Sequence, residues 1–306
     1  MLPDSSPEPE GHAVSGSINR VLVVDDSRLQ RRILVASLKK WGFEVVEADS
    51  GESAMEICQQ DPPDLILSDW MMPGMNGIEF CQTFRAQSKD NYAYFILLTS
   101  KSEKNEVAEG LDAGADDFLT KPVNDTAMFA RVRSLVRLKM LSDEWRLREQ
   151  TSGQLGVLRN DEPMSNVDAT GARILVIEDN QVDCSKIVDT LGKDSEHVEA
   201  VSTVEDAAAV LQRGNTELVI INLRLRDQDA LRFCSHMRAV EETRSTPILM
   251  VAEEDDTNQL AKGLDLGIND YLIKPIDRNE LLARSRTQIR RQRFQERLRE
   301  NYERSL

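Results

Sequence analysis

Short apolar runs recur along the first 120 residues, each closed by polar residues and followed by a helical pattern. Val21-Leu22-Val23-Val24, Leu65-Ile66-Leu67 and Tyr94-Phe95-Ile96-Leu97-Leu98 are continuous rather than alternating, as in strands buried on both faces of a parallel sheet. The pattern predicts strands over 20–25, 43–48, 64–69, 94–99 and 117–120. Helices are predicted over 27–40, 51–60, 77–87 and 103–113, with a long one from about 125. Ser27 stands where it can cap the first of them. Strands alternating with helices imply an α/β sandwich, because right-handed crossovers bury a parallel sheet between helix layers.

The pattern then starts again. The helix from 125 carries one apolar face (Met128, Val132, Leu135, Val136) and runs on through Leu138, Leu141, Trp145 and Leu147 into a polar stretch, 150–172, that reads as a linker. Arg173 to Asp179 then matches Arg20 to Asp26 at an offset of 153 positions. The same offset carries Phe80-Cys81 onto Phe233-Cys234, Gly114 onto Gly267 and Lys121-Pro122 onto Lys274-Pro275, with no net insertion. A duplicated domain accounts for this. The expected organisation is a flexible tail, 1–18, a first domain, 19–141, and a connector end with linker, 142–172. A second domain, 173–290, follows, and then a solvated connector helix, 291–306, expected to pair with its twin.

The strand ends carry the chemistry. In open parallel sheets, sites form outside the carboxyl ends of the strands. Here those ends hold Asp25-Asp26, Asp69, Thr99 and Lys121, which together offer three carboxylates, a hydroxyl and an ammonium. A carboxylate can attack a phosphoryl group to form an acyl phosphate. The three carboxylates repel one another and would repel that group too. A hard dication that takes oxygen ligands relieves both repulsions.

Asp25-Asp26, Asp69, Thr99, Phe118 and Lys121-Pro122, in this order and spacing, resemble the signature of the response-regulator receiver family. The resemblance implies two flavodoxin-like (βα)5 domains with five-stranded parallel sheets in the order 2-1-3-4-5. It implies that Asp69 is the phosphoacceptor and that Thr99 and Lys121 face the other phosphoryl oxygens. Mg²⁺ (or Mn²⁺) would be held by Asp26, Asp69 and the backbone carbonyl of Met71, with Asp25 acting largely through water. Thr99 and Phe118 would form the switch, and a sensor histidine kinase or phosphotransfer protein would be the donor. In the second copy Asp25 becomes Glu178, Asp69 becomes Asn222, Thr99 becomes Ala252 and Phe118 becomes Tyr271, while Asp179 and Lys274 remain. That copy is expected to be inert as an acceptor and to serve as an adaptor.

Composition narrows the rest. A net charge of −15 argues against nucleic acid as a bulk partner. No run of 18 apolar residues occurs, so no membrane insertion is expected and a cytoplasmic location is. Cys58, Cys81, Cys184 and Cys234 form no CxxC pair, and Cys58 and Cys81 read as buried small hydrophobes. A dehalogenase-type phosphatase would need a second Asp where Met71 stands, and a nucleotide-binding enzyme would need a glycine-rich loop where Asp25-Asp26-Ser27-Arg28 stands. Tandem receivers with Asn in the second acceptor position resemble response regulators whose third domain is a GGDEF diguanylate cyclase. No GGDEF sequence occurs in these 306 residues, so the chain itself is expected not to be an enzyme. The resemblance implies a phosphorylation-promoted homodimer controlling such an output. The alternatives are a stand-alone adaptor and, behind it, a DNA-binding regulator.

Overall fold

The structure, a computed structural model, describes residues 20–87, 93–100, 110, 113–125, 128–129, 131–133, 135–136, 139 and 167–303. The expected tail, most of the helix expected over 103–113 and most of the linker lie outside the described residues.

The first unit is a sheet of β1 (Arg20–Val24), β2 (Glu44–Ala48), β3 (Leu65–Asp69), β4 (Tyr94–Ser100) and β5 (Asp117–Lys121), all parallel, in the order β2-β1-β3-β4-β5. Helices α1 (Arg28–Lys40), α2 (Gly51–Gln60) and α3 (Gly77–Gln87) cross between strands, and 125–139 is helical at its described positions. The second unit repeats the design with β6 (Ile174–Ile177), β7 (Val198–Val201), β8 (Leu218–Asn222), β9 (Ile248–Ala252) and β10 (Asp270–Ile273), ordered β7-β6-β8-β9-β10. Its helices are α4 (Gln181–Leu191), α5 (Val204–Gln212), α6 (Ala230–Ala239), α7 (Thr257–Leu266) and α8 (Arg278–Glu303).

Continuous apolar runs work because each strand feeds two cores. Leu22, Val24, Ile66, Phe95 and Leu97 pack with Met55, Phe80 and Phe84 on one face of the first sheet. Val21, Val23, Leu65, Leu67 and Ile96 pack with Leu34, Leu38, Met128, Val132 and Leu135 on the other. Cys58 and Cys81 are buried and free, as their apolar surroundings suggested.

Two expectations are corrected. Ser27 occupies the cap position of α1, but its side chain makes no capping hydrogen bond; its N–H is drawn instead to Asp25 Oδ1 at 2.8 Å. The long C-terminal helix expected after Glu280 runs from Arg278 to Glu303, but where a solvated connector was expected its Arg291 and Gln292 are buried, as is much of the half before them. Its Leu281 and Ile289 pack on the second sheet, while Ala283 joins the first unit's core.

The polar side of α8 is buried because its arginines find carboxylates. Arg131 donates to Asp117 Oδ1 at 3.4 Å and, across the boundary between the units, to Asp270 Oδ2 at 2.7 Å. Arg284 donates to Asp270 Oδ2 at 3.1 Å and to Glu280, and Arg291 donates to Asp117 Oδ2 at 3.1 Å. Arg131 and Arg284 are the same position in the two copies, as are Asp117 and Asp270, so equivalent elements of the two units face each other. Burial works against ionising Asp270, but Arg131 and Arg284 hold its carboxyl down to about 2.

Candidate functional site

The carboxyl ends of β1, β3, β4 and β5 lie side by side, so residues far apart in sequence converge at one edge. Asp25 follows β1 and is fully buried; Asp69 ends β3 and is nearly so. Asp26 stays exposed beside them. One oxygen from each of the three carboxylates lies within 4.8 Å of the others. Lys121 ends β5 and bridges the two buried members: its Nζ donates to Asp69 Oδ2 at 2.7 Å and to Asp25 Oδ2 at 2.9 Å. The Lys121-Pro122 peptide bond is cis, as is Lys274-Pro275.

Register places the remaining members. Asp69 pairs with Leu98, so buried Thr99 sits one residue farther along the neighbouring strand. Leu97 pairs with Phe118 and Thr99 with Thr120, and residues two apart on a strand share a face. The Phe118 ring and the Thr99 hydroxyl therefore stand on the same side of the sheet. After Asp69 the chain turns back to start α3 at Gly77, whose N–H donates to the Trp70 carbonyl at 2.9 Å. A Cβ at Gly77 would collide with the Asp69 carbonyl oxygen, so the turn that presents Asp69 requires glycine there.

Burial raises the Asp69 carboxyl above its ordinary range; the hydrogen bond and charge of Lys121 pull it back, and the Asp25 charge pushes it up again. Three carboxylates against one ammonium leave the cluster net negative. All its donors are hard oxygens, so the residues present fit a Mg²⁺ or Mn²⁺ ion rather than a thiophilic one. Asp25, Asp26 and Asp69 would hold it; Met71, whose side chain is exposed, has its carbonyl in the same turn.

The second unit brings the equivalent positions together and satisfies them differently. Asn222 Nδ2 donates to Glu178 Oε1 at 2.9 Å, and the Arg224 N–H donates to Asn222 Oδ1 at 3.0 Å. Asp179 accepts the Arg226 N–H. Lys274 reaches Glu178 at 3.4 Å but is drawn closer to Asp183, at 2.8 Å. Arg224, at the position of Met71, forks onto Asp255 and Asp256. Ala252, at the position of Thr99, supplies no hydroxyl. Burial raises the Tyr271 phenol above its usual value, and Arg131 pulls it down.

Reading strand ends for chemistry overlooked Asp183, Arg224 and the buried arginines between the units. Asp183 and Arg224 replace Gln30 and Met71, changes visible in the repeat alone. Arg131 interrupts an apolar helix face and recurs as Arg284, and this repeated charge in a core stripe was a signal available in the sequence.

The response regulator receiver domain matches residues 21–133 and again 174–286. The response regulator PleD of Caulobacter vibrioides is 38% identical over 287 residues, 94% of this chain and 62% of that one. The phosphate regulon transcriptional regulatory protein PhoB of Escherichia coli is 36% identical over 118 residues, 39% of this chain and 52% of that one. The chain thus spans between half and two thirds of the length of these relatives. Among solved structures, the chemotaxis response regulator CheY4 of Vibrio cholerae is 32% identical, covering 39% of this chain and 99% of that one, with a TM-score of 0.37.

Proposed function

The chain belongs to the response regulator receiver family, and on that basis we propose that its first receiver accepts a phosphoryl group on Asp69 from a phosphohistidine donor. The observation that carries the reading is the Asp25-Asp26-Asp69 cluster with Lys121 bridging its buried members.

In the proposed step an Asp69 oxygen attacks phosphorus, the P–N bond to the donor imidazole breaks, and the imidazole leaves with the electron pair and takes up a proton. Little covalent help is needed; placement and charge neutralisation carry such transfers. Lys121 supplies positive charge at the attacking carboxylate, and Thr99 offers a hydroxyl donor to a phosphoryl oxygen. A bound Mg²⁺ would neutralise the carboxylates and the incoming oxygens. Phe118, on the face of Thr99, is the ring that follows the hydroxyl when it moves.

The second receiver is proposed as an adaptor, since Asn222 has no nucleophilic carboxylate and Ala252 no hydroxyl. The output is proposed to be a GGDEF diguanylate cyclase, on the resemblance of the two-receiver arrangement, with Asn222 in the second acceptor position, to regulators with such an output. Phosphorylation is proposed to act through a homodimer. Among the described residues no helix is long and apolar enough to cross a membrane. The phosphodonor would dock where Leu29, Ile33 and Met71 are exposed beside the acidic cluster.

Incubation with Mg²⁺ and acetyl phosphate tests the central reading: a base-labile adduct maps to Asp69, and labelling of an Asp69→Asn variant overturns it. Sedimentation velocity with and without beryllofluoride tests the dimer. An unchanged distribution over a wide concentration range removes it.

A further inference from the structure

Phe118 is covered by a side chain from the other half of the molecule. The Arg284 guanidinium stands over the Phe118 ring with its carbon 4.4 Å from the ring centroid. Ring and guanidinium are both buried. Arg284 is held on two sides, by Asp270 and by Glu280. Ala283, next to it on α8, joins the same apolar cluster as Phe118 and Leu97. Asp69 is paired with Lys121 at the end of the neighbouring part of the same sheet.

We infer that Arg284 is a positioning residue through which the second receiver reads the state of Asp69 by holding the Phe118 ring. The inference rests on the proposed roles of Asp69 as acceptor and Phe118 as the ring of its switch. A guanidinium over an aromatic face in a desolvated place is a favourable contact that a displaced ring loses. Displacement of the ring from beneath the guanidinium lengthens it. The contact therefore opposes the change that phosphorylation drives, and by linkage phosphorylation weakens the hold on α8.

The helix on which Arg284 sits is suited to respond. Where the first unit seats its equivalent helix with Val132 and Leu135, α8 has Ser285 and Gln288. Both are buried, and among the described residues Ser285 Oγ and Gln288 Nε2 have no hydrogen-bond partner. Unsatisfied buried donors weaken the seat of α8 on its own sheet. Arg284 thus links the ring to an element with an imperfect second anchor, and α8 is also the helix by which the chain leaves the domain.

The test is beryllofluoride affinity of the full chain with Mg²⁺, for wild type, Arg284→Met, Phe118→Leu and the double variant. Asp270 keeps Arg131 when Arg284 is removed, so the variant leaves no orphaned buried carboxylate there. Arg284→Met is expected to tighten binding by about 5- to 30-fold, and the same change in the Phe118→Leu background is expected to have no effect. Unchanged or weaker binding overturns the inference, as does the same tightening without Phe118, which would trace it to the ion pairs. If Arg284→Met does not fold, Arg284→Gln is measured in its place: it keeps a hydrogen-bond donor towards Asp270 but removes the cation from the ring, so the same tightening is expected, and unchanged or weaker binding counts against the ring contact. Failure of the wild type to bind beryllofluoride is a failure of the reading of Asp69, whereas binding that ignores residue 284 defeats this inference alone.

Discussion

Lys274 Nζ lies 2.8 Å from Asp183 Oδ2, whereas Lys121, at the same position of the first receiver, lies 2.7 Å from Asp69 Oδ2. One ammonium faces the candidate acceptor; its counterpart has been drawn to a carboxylate on the helix that follows the first strand. Burial works against the charge of Lys274, but Asp183 and Glu178 keep it protonated beyond its usual range. Asn222 is meanwhile occupied by Glu178 and by the Arg224 N–H. The second site is closed by its own hydrogen bonds.

Restoring the carboxylate there is therefore insufficient. In an Asp69→Asn background, Asn222→Asp is expected to stay at background labelling with acetyl phosphate and Mg²⁺. Adding Asp183→Gln and Ala252→Thr returns the first receiver's residues at those places and is expected to produce measurable labelling. Rapid labelling of Asn222→Asp alone would show that the missing hydroxyl and the diverted lysine matter less than their geometry suggests.

Metal binding at the first site should be steeply pH-dependent. Burial lifts Asp69 above the ordinary carboxylate range, so protons compete with a cation there at higher pH than at a surface aspartate. Mg²⁺ affinity by calorimetry is expected to fall as pH is lowered towards the carboxylate range, with proton release on binding there, and to be lost in Asp26→Asn. Affinity that holds until ordinary surface carboxylates are themselves protonated would contradict the assignment of Asp69 as a ligand.

Leu29 and Ile33 lie four residues apart on α1, both largely exposed, as is Met71 in the turn after Asp69. Replacing Leu29 and Ile33 by serine is expected to slow transfer from the cognate phosphohistidine protein by about tenfold or more, the usual cost of losing an apolar anchor at an interface. Labelling by acetyl phosphate, which needs no docking surface, should be unaffected. Equal loss with both donors would mean the substitutions disturb the site itself.

Asp270→Asn should loosen the contact between the receivers. It removes the carboxylate shared by Arg131 and Arg284, and breaking a buried pair costs about 3–5 kcal/mol. Because the folded carboxyl is held at about 2, below its unfolded value, Asp270 stabilises at neutral pH. That contribution is lost as pH falls from about 4 through 2. Thermal melts of wild type and variant are expected to differ at pH 7 and to converge towards pH 2; melting temperatures that coincide at pH 7 would show that the pair adds nothing.

The sequence alone determined the repeat and the identity of the strand-end residues, while the strand order came with the family resemblance. Continuous apolar runs can be satisfied only by a sheet covered on both faces, and once the strands are parallel their carboxyl ends must share an edge, so Asp25, Asp69, Thr99 and Lys121 converge without further information. It also showed that Asn222 and Ala252 could not do what Asp69 and Thr99 do. Which partner a long cation chooses is not local information. Lys121 and Lys274 stand at the ends of equivalent strands yet have different nearest carboxylates, because Asp183 stands where the first unit has Gln30 and Asn222 carries no charge where Asp69 does. The burial of α8 was hidden for the same reason. Its many arginines read as a solvated face until Asp117 and Asp270, from two different units, were seen to meet them, and it was this meeting that laid Arg284 on the ring of Phe118.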